Sequence, residues 1–394
     1  MDRCRIERGG GEGLFYAEDS SGKLQSLLHL TPQELQAPRT RSYYCPHCKE
    51  VLLIRSGPKV KPHFAHFPKS ECIVNRGEGE AHEQGKWALY EWLIHHNYEA
   101  KLEYPLCGPA QRPDVFVTIG SKQIAIEYQC ARISKEEILR RSSQYKEHGI
   151  FPLWILGSHL LKRTSPDTIH MTEFLRNFLY SFHHHYSLYF FNSKTQRLTM
   201  ASNLRSVSQR KTLADLRSYS LSSIQFPQLF QISASSSLHD LLPMWEKLLY
   251  KQRTVYNPHV SKEVQAFRDD VYRRGVHVSL LPTLAFLPSK GELAGAGPSY
   301  VWQTKFLFDH FIELEVGAPV NFPEQAAPPT INGYQPDLMK EYSYLLEALG
   351  YINKSVNKGW VKKKQVVFHQ HITHALEDDR KTVAALKKLE RINI

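Results

Sequence analysis

The stretch that most constrains this chain is a pair of runs rich in Val and Ile, Arg112 to Ile119 and Gln123 to Cys130, separated by Gly120-Ser121-Lys122. Two such runs around a glycine-containing break predict a β-hairpin. A two-residue turn at Gly120-Ser121 sets Ile119 against Lys122 and therefore Asp114 against Glu127. The same register gathers Val115, Val117, Ile119, Ile124, Ile126 and Tyr128 on one apolar face. Asp114, Phe116, Ala125, Glu127 and Gln129 share the other. Turn chemistry and hydrophobic pattern thus select the same pairing.

Two carboxylates facing each other across a hairpin repel, and a positive charge between them removes the penalty. Mg²⁺ or Mn²⁺ suits the position, because such ions take one or two carboxylates and leave room for water and a substrate phosphate. Upstream, Glu78, His82 and Lys86 recur every four residues on a segment of helical period whose apolar stripe includes Ala81, Ala88, Leu89, Trp92 and Leu93. A carboxylate, an imidazole and an ammonium aimed at the hairpin would complete a phosphodiester-cleaving site; the plain alternative is a solvated polar helix face. Gln129, two positions after Glu127, is placed to orient water or meet a phosphate. The alternating segment Tyr98 to Tyr104 predicts a strand, the Ser134-x-x-Glu137 capping box opens a helix, and Phe151 to Leu156 reads as a buried strand. The order is helix, three strands, helix, strand: a small α/β core.

Ahead of this core lie Cys45-x-x-Cys48, His63-x-x-His66 and Cys72. A C-x-x-C turn plus two later ligands closes a tetrahedral Zn²⁺ site, the second pair being either His63 with His66 or His66 with Cys72. Pro58, Pro62 and Pro68 argue for loops and short strands, against the helix that follows a redox C-x-x-C. Lys49, Arg55, Lys59, Lys61 and Lys69 surround the ligands with positive charge suited to phosphate.

Arg112-Pro113-Asp114-Val115 followed by Ala125-Ile126-Glu127-Tyr128-Gln129 resembles the PD-(D/E)XK nuclease superfamily, whose hairpin carries an Asp and a Glu-x-Lys. Cys45-Pro46-His47-Cys48, His63-Phe64-Ala65-His66, Glu78-x-x-x-His82-x-x-x-Lys86 and Pro152-x-Trp154-Ile155-Leu156-Gly157 extend the resemblance, over about residues 40–160, to the competence protein CoiA family. The resemblance implies a restriction-endonuclease-like αβββαβ core. It further implies a role in natural transformation: recombination of incoming DNA, on single-stranded or branched substrates, with a recombinase as partner. Glu78, Asp114 and Glu127 would bind Mg²⁺ or Mn²⁺, and His82, Lys86 and Gln129 would position water and the scissile phosphate. Gln129 stands where the superfamily has lysine, so the implied charge falls to Lys86. The alternative is the same fold kept for holding DNA or a recombinase without cleavage.

At 394 residues the chain has room for two or three domains. We expect a zinc-binding β module over 1–75, the nuclease-like domain over 76–165 and a mainly helical basic region over 166–394. Residues 176–394 hold 27 Lys and Arg against 18 Asp and Glu, whereas 76–175 hold 12 against 13, so the net charge of +11 resides mainly at the C-terminal end. That surplus suits nucleic-acid phosphate. Helices are expected over Met171 to Phe182, Leu238 to Lys251, Ser261 to Arg274, Val301 to Glu315, Pro336 to Leu349 and Ala375 to Leu389, with a basic hairpin around Trp360. His183-His184-His185 on a helix would point apart and cannot chelate together. His369, His371 and His374 read as a polar face near a nucleic-acid-facing surface. A content of 42% hydrophobic and 23% charged residues excludes wholesale disorder. No run approaches the ~20 apolar residues of a membrane span, and no apolar stretch follows Met1-Asp2-Arg3-Cys4-Arg5, so neither a membrane helix nor a secretory signal is expected. Six Cys in this length fit a reduced, cytoplasmic chain.

Overall fold

The computed structural model describes residues 14, 16–27, 35, 40–45, 48–57, 60–68, 70, 72, 80–106, 111–231, 238–295, 297–325, 327–356 and 359–388. Glu78, Lys59, Lys69 and Lys358 lie outside them. The chain divides into two units, one within 1–160, 189–199 and 218–226, the other within 161–188, 200–217 and 227–394. Among the described residues no helix is long and apolar enough to cross a membrane.

The first unit opens with five short antiparallel strands: β1 (Tyr16–Glu18), β2 (Leu24–Ser26), β3 (Tyr43–Tyr44), β4 (Val51–Gly57) and β5 (Val60–Ala65), in the order β2-β1-β3-β4-β5. Their core is small, built on Leu14, Ala17, Leu27, Leu35, Tyr43, Leu52 and Phe64 together with Cys45 and Cys72. There follow α1 (Glu80–His95), β6 (Glu99–Leu102), β7 (Val115–Ile119), β8 (Lys122–Gln129), α2 (Lys135–Glu147) and β9 (Ile150–Gly157). The three strands β6, β7 and β8 pair antiparallel, and β8 runs parallel to β9, the crossover being α2. Ser134 caps α2 by accepting the Glu137 N–H at 3.2 Å. Gly149, at φ 71°, turns the chain out of the helix.

The hairpin register pairs Ile119 with Lys122 and ends at Val115 with Ile126; Asp114 directly precedes β7, and Glu127 follows Ile126 on β8. One face of this sheet receives α1. There Gly85 lies so close to the Tyr128 ring that an added Cβ would stand 1.9 Å from Cε1. An alanine in mid-helix is ordinarily worth about 1 kcal/mol over glycine, but here the methyl must displace a buried ring. We expect Gly85→Ala to destabilise the protein by about 1–3 kcal/mol, read as a lowered denaturant midpoint. A raised midpoint would mean that helix and sheet sit farther apart.

The second unit corrects the expectation of a mainly helical region after residue 166. The stretch between Arg163 and Ser220 is chiefly strand: β10 (Arg163–Ser165), β11 (Thr168–His170), β12 (Tyr180–Phe182), β13 (His185–Asn192), β14 (Arg197–Ser206) and β15 (Lys211–Ser220), with the ends of the last three belonging to the first unit. Only α3 (Glu173–Arg176) remains of the helix expected over Met171 to Phe182. The reason is packing on both sides. Tyr186 to Phe191 is buried without a break, a pattern of central strands that helical periodicity does not describe. His183 and His184, at φ 50° and 65°, form the turn joining β12 to β13, not a helical surface.

Helices α4 (Leu238–Thr254), α5 (Lys262–Arg273), α6 (Lys290–Leu293), α7 (Ser299–His310), α8 (Leu338–Ala348) and α9 (Ile372–Lys388) complete this unit, with a hairpin of β16 (Ile352–Ser355) and β17 (Gly359–Lys362). Arg253 of α4 donates from Nε and Nη2 to both oxygens of Asp379 of α9 at 2.6 Å, a buried bidentate pair. Lys362 is fully buried, and its ammonium donates to the carbonyls of Phe311 and Leu314 at 2.7 Å, closing the C-terminal end of α7. His369 Nε2 lies 3.2 Å from Asp378 Oδ2. Lys362 and His369 therefore serve the interior of this unit, in the case of His369 unlike the surface role its spacing suggested.

Candidate functional site

The cysteine-histidine cluster is assembled by one turn and one strand end. Cys45 accepts the Lys49 N–H at 2.9 Å and donates its own N–H to the Glu50 carbonyl at 2.8 Å, while Lys49 takes φ 61°. This knuckle carries Cys45 and Cys48. On β5, alternation places Phe64 inward and His63 on the opposite side; His66 shares the parity of Phe64 and is buried. The ligand atoms of Cys45, Cys48, His66 and Cys72 all lie within 4.8 Å of one another, with Cys48 Sγ 3.3 Å from His66 Nε2. Thiolates bound to one Zn²⁺ at ~2.3 Å stand about 3.8 Å apart, so the donor set fits a zinc-sized ion. Of the two pairings open from spacing, the structure assembles His66 with Cys72. His63 is not brought into the cluster.

At the hairpin, Asp114 and Glu127 are both buried and are held from different helices. Asp114 Oδ2 accepts the Tyr128 N–H at 2.7 Å, and Oδ1 lies 3.5 Å from His82 Nε2 of α1. The His82 ring stacks on Tyr128 at 5.5 Å between centroids. Glu127 Oε1 accepts the Tyr145 hydroxyl at 2.6 Å and Oε2 accepts Arg141 Nη2 at 2.5 Å, both from α2. Burial pushes the Glu127 carboxyl up to about 7; Arg141 pulls it down, and the Asp114 charge pushes it further up. Burial also drives the Tyr145 hydroxyl far above its ordinary value, with Glu127 adding to it, so this phenol stays a proton donor.

The sequence-selected cations and amide lie elsewhere in their hydrogen bonding. Lys86 Nζ, on a residue only 2% exposed, donates to Glu103 Oε1 at 2.5 Å, and Arg112 Nη1 lies 3.1 Å from Glu103 Oε2. Gln129 donates its side-chain N–H to the Ala131 carbonyl at 2.7 Å. The structure thus brings His82 to Asp114 and surrounds Glu127 with Arg141 and Tyr145, and it commits Lys86 to Glu103. Spacing had missed Arg141, Tyr145 and Glu103. Tyr145 was legible, since Ile138, Ser142 and Tyr145 form the buried stripe of α2. Glu103 was not: it follows the alternating strand on the parity of Glu99 and Lys101, and only its backbone at φ 49° turns it inward.

Comparison with known families assigns three consecutive segments to three domains of one protein. Residues 27–75 match the competence protein CoiA N-terminal domain, 78–234 its nuclease-like domain, and 243–326 its C-terminal domain. The chain belongs to the competence protein CoiA family. Among curated CoiA relatives, the Bacillus subtilis (strain 168) protein named Competence protein CoiA is 28% identical over 302 residues, covering 75% of this chain and 79% of the relative. No solved structure matches the chain. The CoiA N-terminal segment contains all four clustered ligands, and the CoiA nuclease-like segment contains His82, Lys86, Asp114, Glu127, Gln129, Arg141 and Tyr145.

Proposed function

We propose that this CoiA-family chain is a cytoplasmic DNA-processing protein of natural competence whose nuclease-like domain cleaves transforming or branched DNA with Mg²⁺ or Mn²⁺. The observation that carries the reading is the pair of buried carboxylates, Asp114 just ahead of β7 and Glu127 on the paired strand β8, with the His82 imidazole 3.5 Å from the Asp114 carboxylate. Asp114 and Glu127 would hold the ion, with Glu78 assigned by its spacing from His82. Bound there, a divalent cation supplies Lewis-acid polarisation of a scissile phosphate. His82 would accept a proton from attacking water, its ring stacked on Tyr128. Arg141 supplies the fixed cation that Gln129 cannot, and the short Lys86–Glu103 pair anchors α1 beside the hairpin. Zn²⁺ on Cys45, Cys48, His66 and Cys72 would be structural, all four positions being taken by protein. A recombinase acting on the same DNA is the proposed partner.

A second reading is favoured by one observation. Arg141 and Tyr145 already satisfy Glu127, which neutralises the acid pair without a metal and suits a fold that holds DNA or a recombinase and does not cut. Cleavage assays on single-stranded, duplex and branched DNA with Mn²⁺ and Mg²⁺ separate the two. We expect wild-type cleavage that Asp114→Ala and Glu127→Ala each abolish, with DNA affinity changed less than about threefold. Purified wild-type protein that cuts none of the three substrates with either ion establishes the holding role instead.

A further inference from the structure

Within the second unit, residues 348–376 contain five lysines and three histidines and no Asp or Glu. At the centre of this acid-free stretch stands Trp360 on β17, paired in register with Lys354 on β16. Cross-strand partners share a face, and Lys354 Nζ accordingly lies 5.9 Å from the centre of the Trp360 ring. Phe322 meets the same indole edge-on at 6.4 Å. These residues form one wall of a cavity of about 460 Å³, lined also by Tyr344 and Lys340 of α8. Tyr344 is 44% exposed, and Lys340 and Lys354 are both exposed. Two carboxylates complete the lining, Glu324 and Asp337; the Asp337 side chain caps α8 by accepting the Lys340 N–H at 3.0 Å.

Aromatic faces take a flat π-system, ammonium groups at a rim take an anion, and a carboxylate accepts from an exocyclic amine. A nucleobase with its attached phosphate carries all three features, and the volume falls in the range of small-ligand sites. We propose that this cavity binds one unpaired nucleotide of a DNA strand, the base against Trp360 and Tyr344 and its phosphate at Lys354 and Lys340. The commitment to a strand over a free nucleotide rests on the DNA-processing function proposed above and on the acid-free run, which extends the positive charge well beyond the cavity lining. Lys363 and Lys364 add exposed charge to the same hairpin, whereas Lys362 is spent inside.

The test is binding of the full-length protein to fluorescent oligo(dT) without added Mg²⁺ or Mn²⁺, where metal-dependent cleavage plays no part and no chelator disturbs the zinc module, with dTMP as competitor. Trp360→Ala is expected to weaken binding roughly tenfold or more, and Trp360→Phe, which keeps a stacking face, to restore most of it. Lys354→Glu, at an exposed position that does not threaten folding, should weaken binding and lower the salt dependence by about one counterion. Millimolar dTMP should compete poorly. Unchanged oligonucleotide binding in Lys354→Glu and in a folded Trp360→Ala protein would overturn the assignment. Competition by dTMP at the oligonucleotide's own concentration would make the ligand a free nucleotide and overturn the strand. A protein that cleaves DNA yet shows neither effect loses this site and keeps the nuclease reading.

Discussion

Replacing Cys72 with serine is expected to strip the protein of one zinc per chain and to leave the segment from Leu14 to Cys72 open to protease. The magnitude follows from how little else holds that segment. Its strands run from two to seven residues, and its core is a handful of apolar side chains of which two are the ligands Cys45 and Cys72. Small β modules of this kind do not bury enough apolar surface to offset their chain entropy. Structural zinc contributes about 10–16 kcal/mol at neutral pH, comparable to the whole stability of an ordinary domain. Wild-type protein should contain one equivalent of zinc by elemental analysis, and Cys45→Ser and His66→Ala should fall with Cys72→Ser. His63→Ala is the discriminating control: it should keep its zinc, because His63 lies on the other side of β5 from His66. Loss of zinc in His63→Ala with retention in Cys72→Ser would reassign the ligand set, and wild-type protein without zinc would remove the metal from this module.

The same reasoning explains what sequence could reveal about the ligands and what it could not. Spacing limited the candidates to five, but choosing among them needs strand parity. His63 and His66 are an odd number of residues apart at the end of an extended segment, so they cannot both face the knuckle. That rule was available once β5 was taken as a strand running into His66. The position of Cys72 was not available, since it depends on a tertiary return past residues that carry no periodic signal.

At the hairpin, the turn and the alternation fixed the pairing from Ile119 with Lys122 to Val115 with Ile126, because two local constraints selected one register. What stayed hidden was the answer to the mutual repulsion of Asp114 and Glu127. Arg141 comes from a helix, 14 residues downstream of Glu127, and nothing in its spacing distinguishes it from the adjacent Arg140, which instead pairs with Glu137 on the surface. The Arg141 guanidinium also lies over the Trp154 ring of β9 at 5.3 Å, so its place is set by packing that only the fold supplies. In the second unit the helical reading failed for a related reason. Strands buried on both faces lose the alternation that identifies them, and Tyr186 to Phe191 reads equally as helix or strand until its neighbours are known. The helices after residue 238 were easier where one polar face is kept, as in α5 and α9.

Glu103→Ala is expected to destabilise the first unit by about 3–5 kcal/mol, far more than an acid at a strand end would ordinarily contribute. Glu103 is 4% exposed and sits between Lys86 and Arg112, with its N–H donating to the Asp114 carbonyl at 3.0 Å. Removing its carboxylate takes away the acceptor 2.5 Å from the buried Lys86 ammonium, and weakening the pairing of a buried charge costs more than an exposed ion pair contributes. Arg112 suffers less, because its side chain keeps 29% of its surface in solvent. The consequence is a specific non-additivity. In the double variant Lys86→Met/Glu103→Ala both charges go, a flexible apolar chain takes the place of the lysine stem, and most of the lost stability should return. Denaturant unfolding of the four proteins in the cycle measures this directly. A double variant as unstable as the sum of the single ones would mean that Lys86 and Glu103 act independently. The pair would then not be what seats α1, and with it His82, against Asp114.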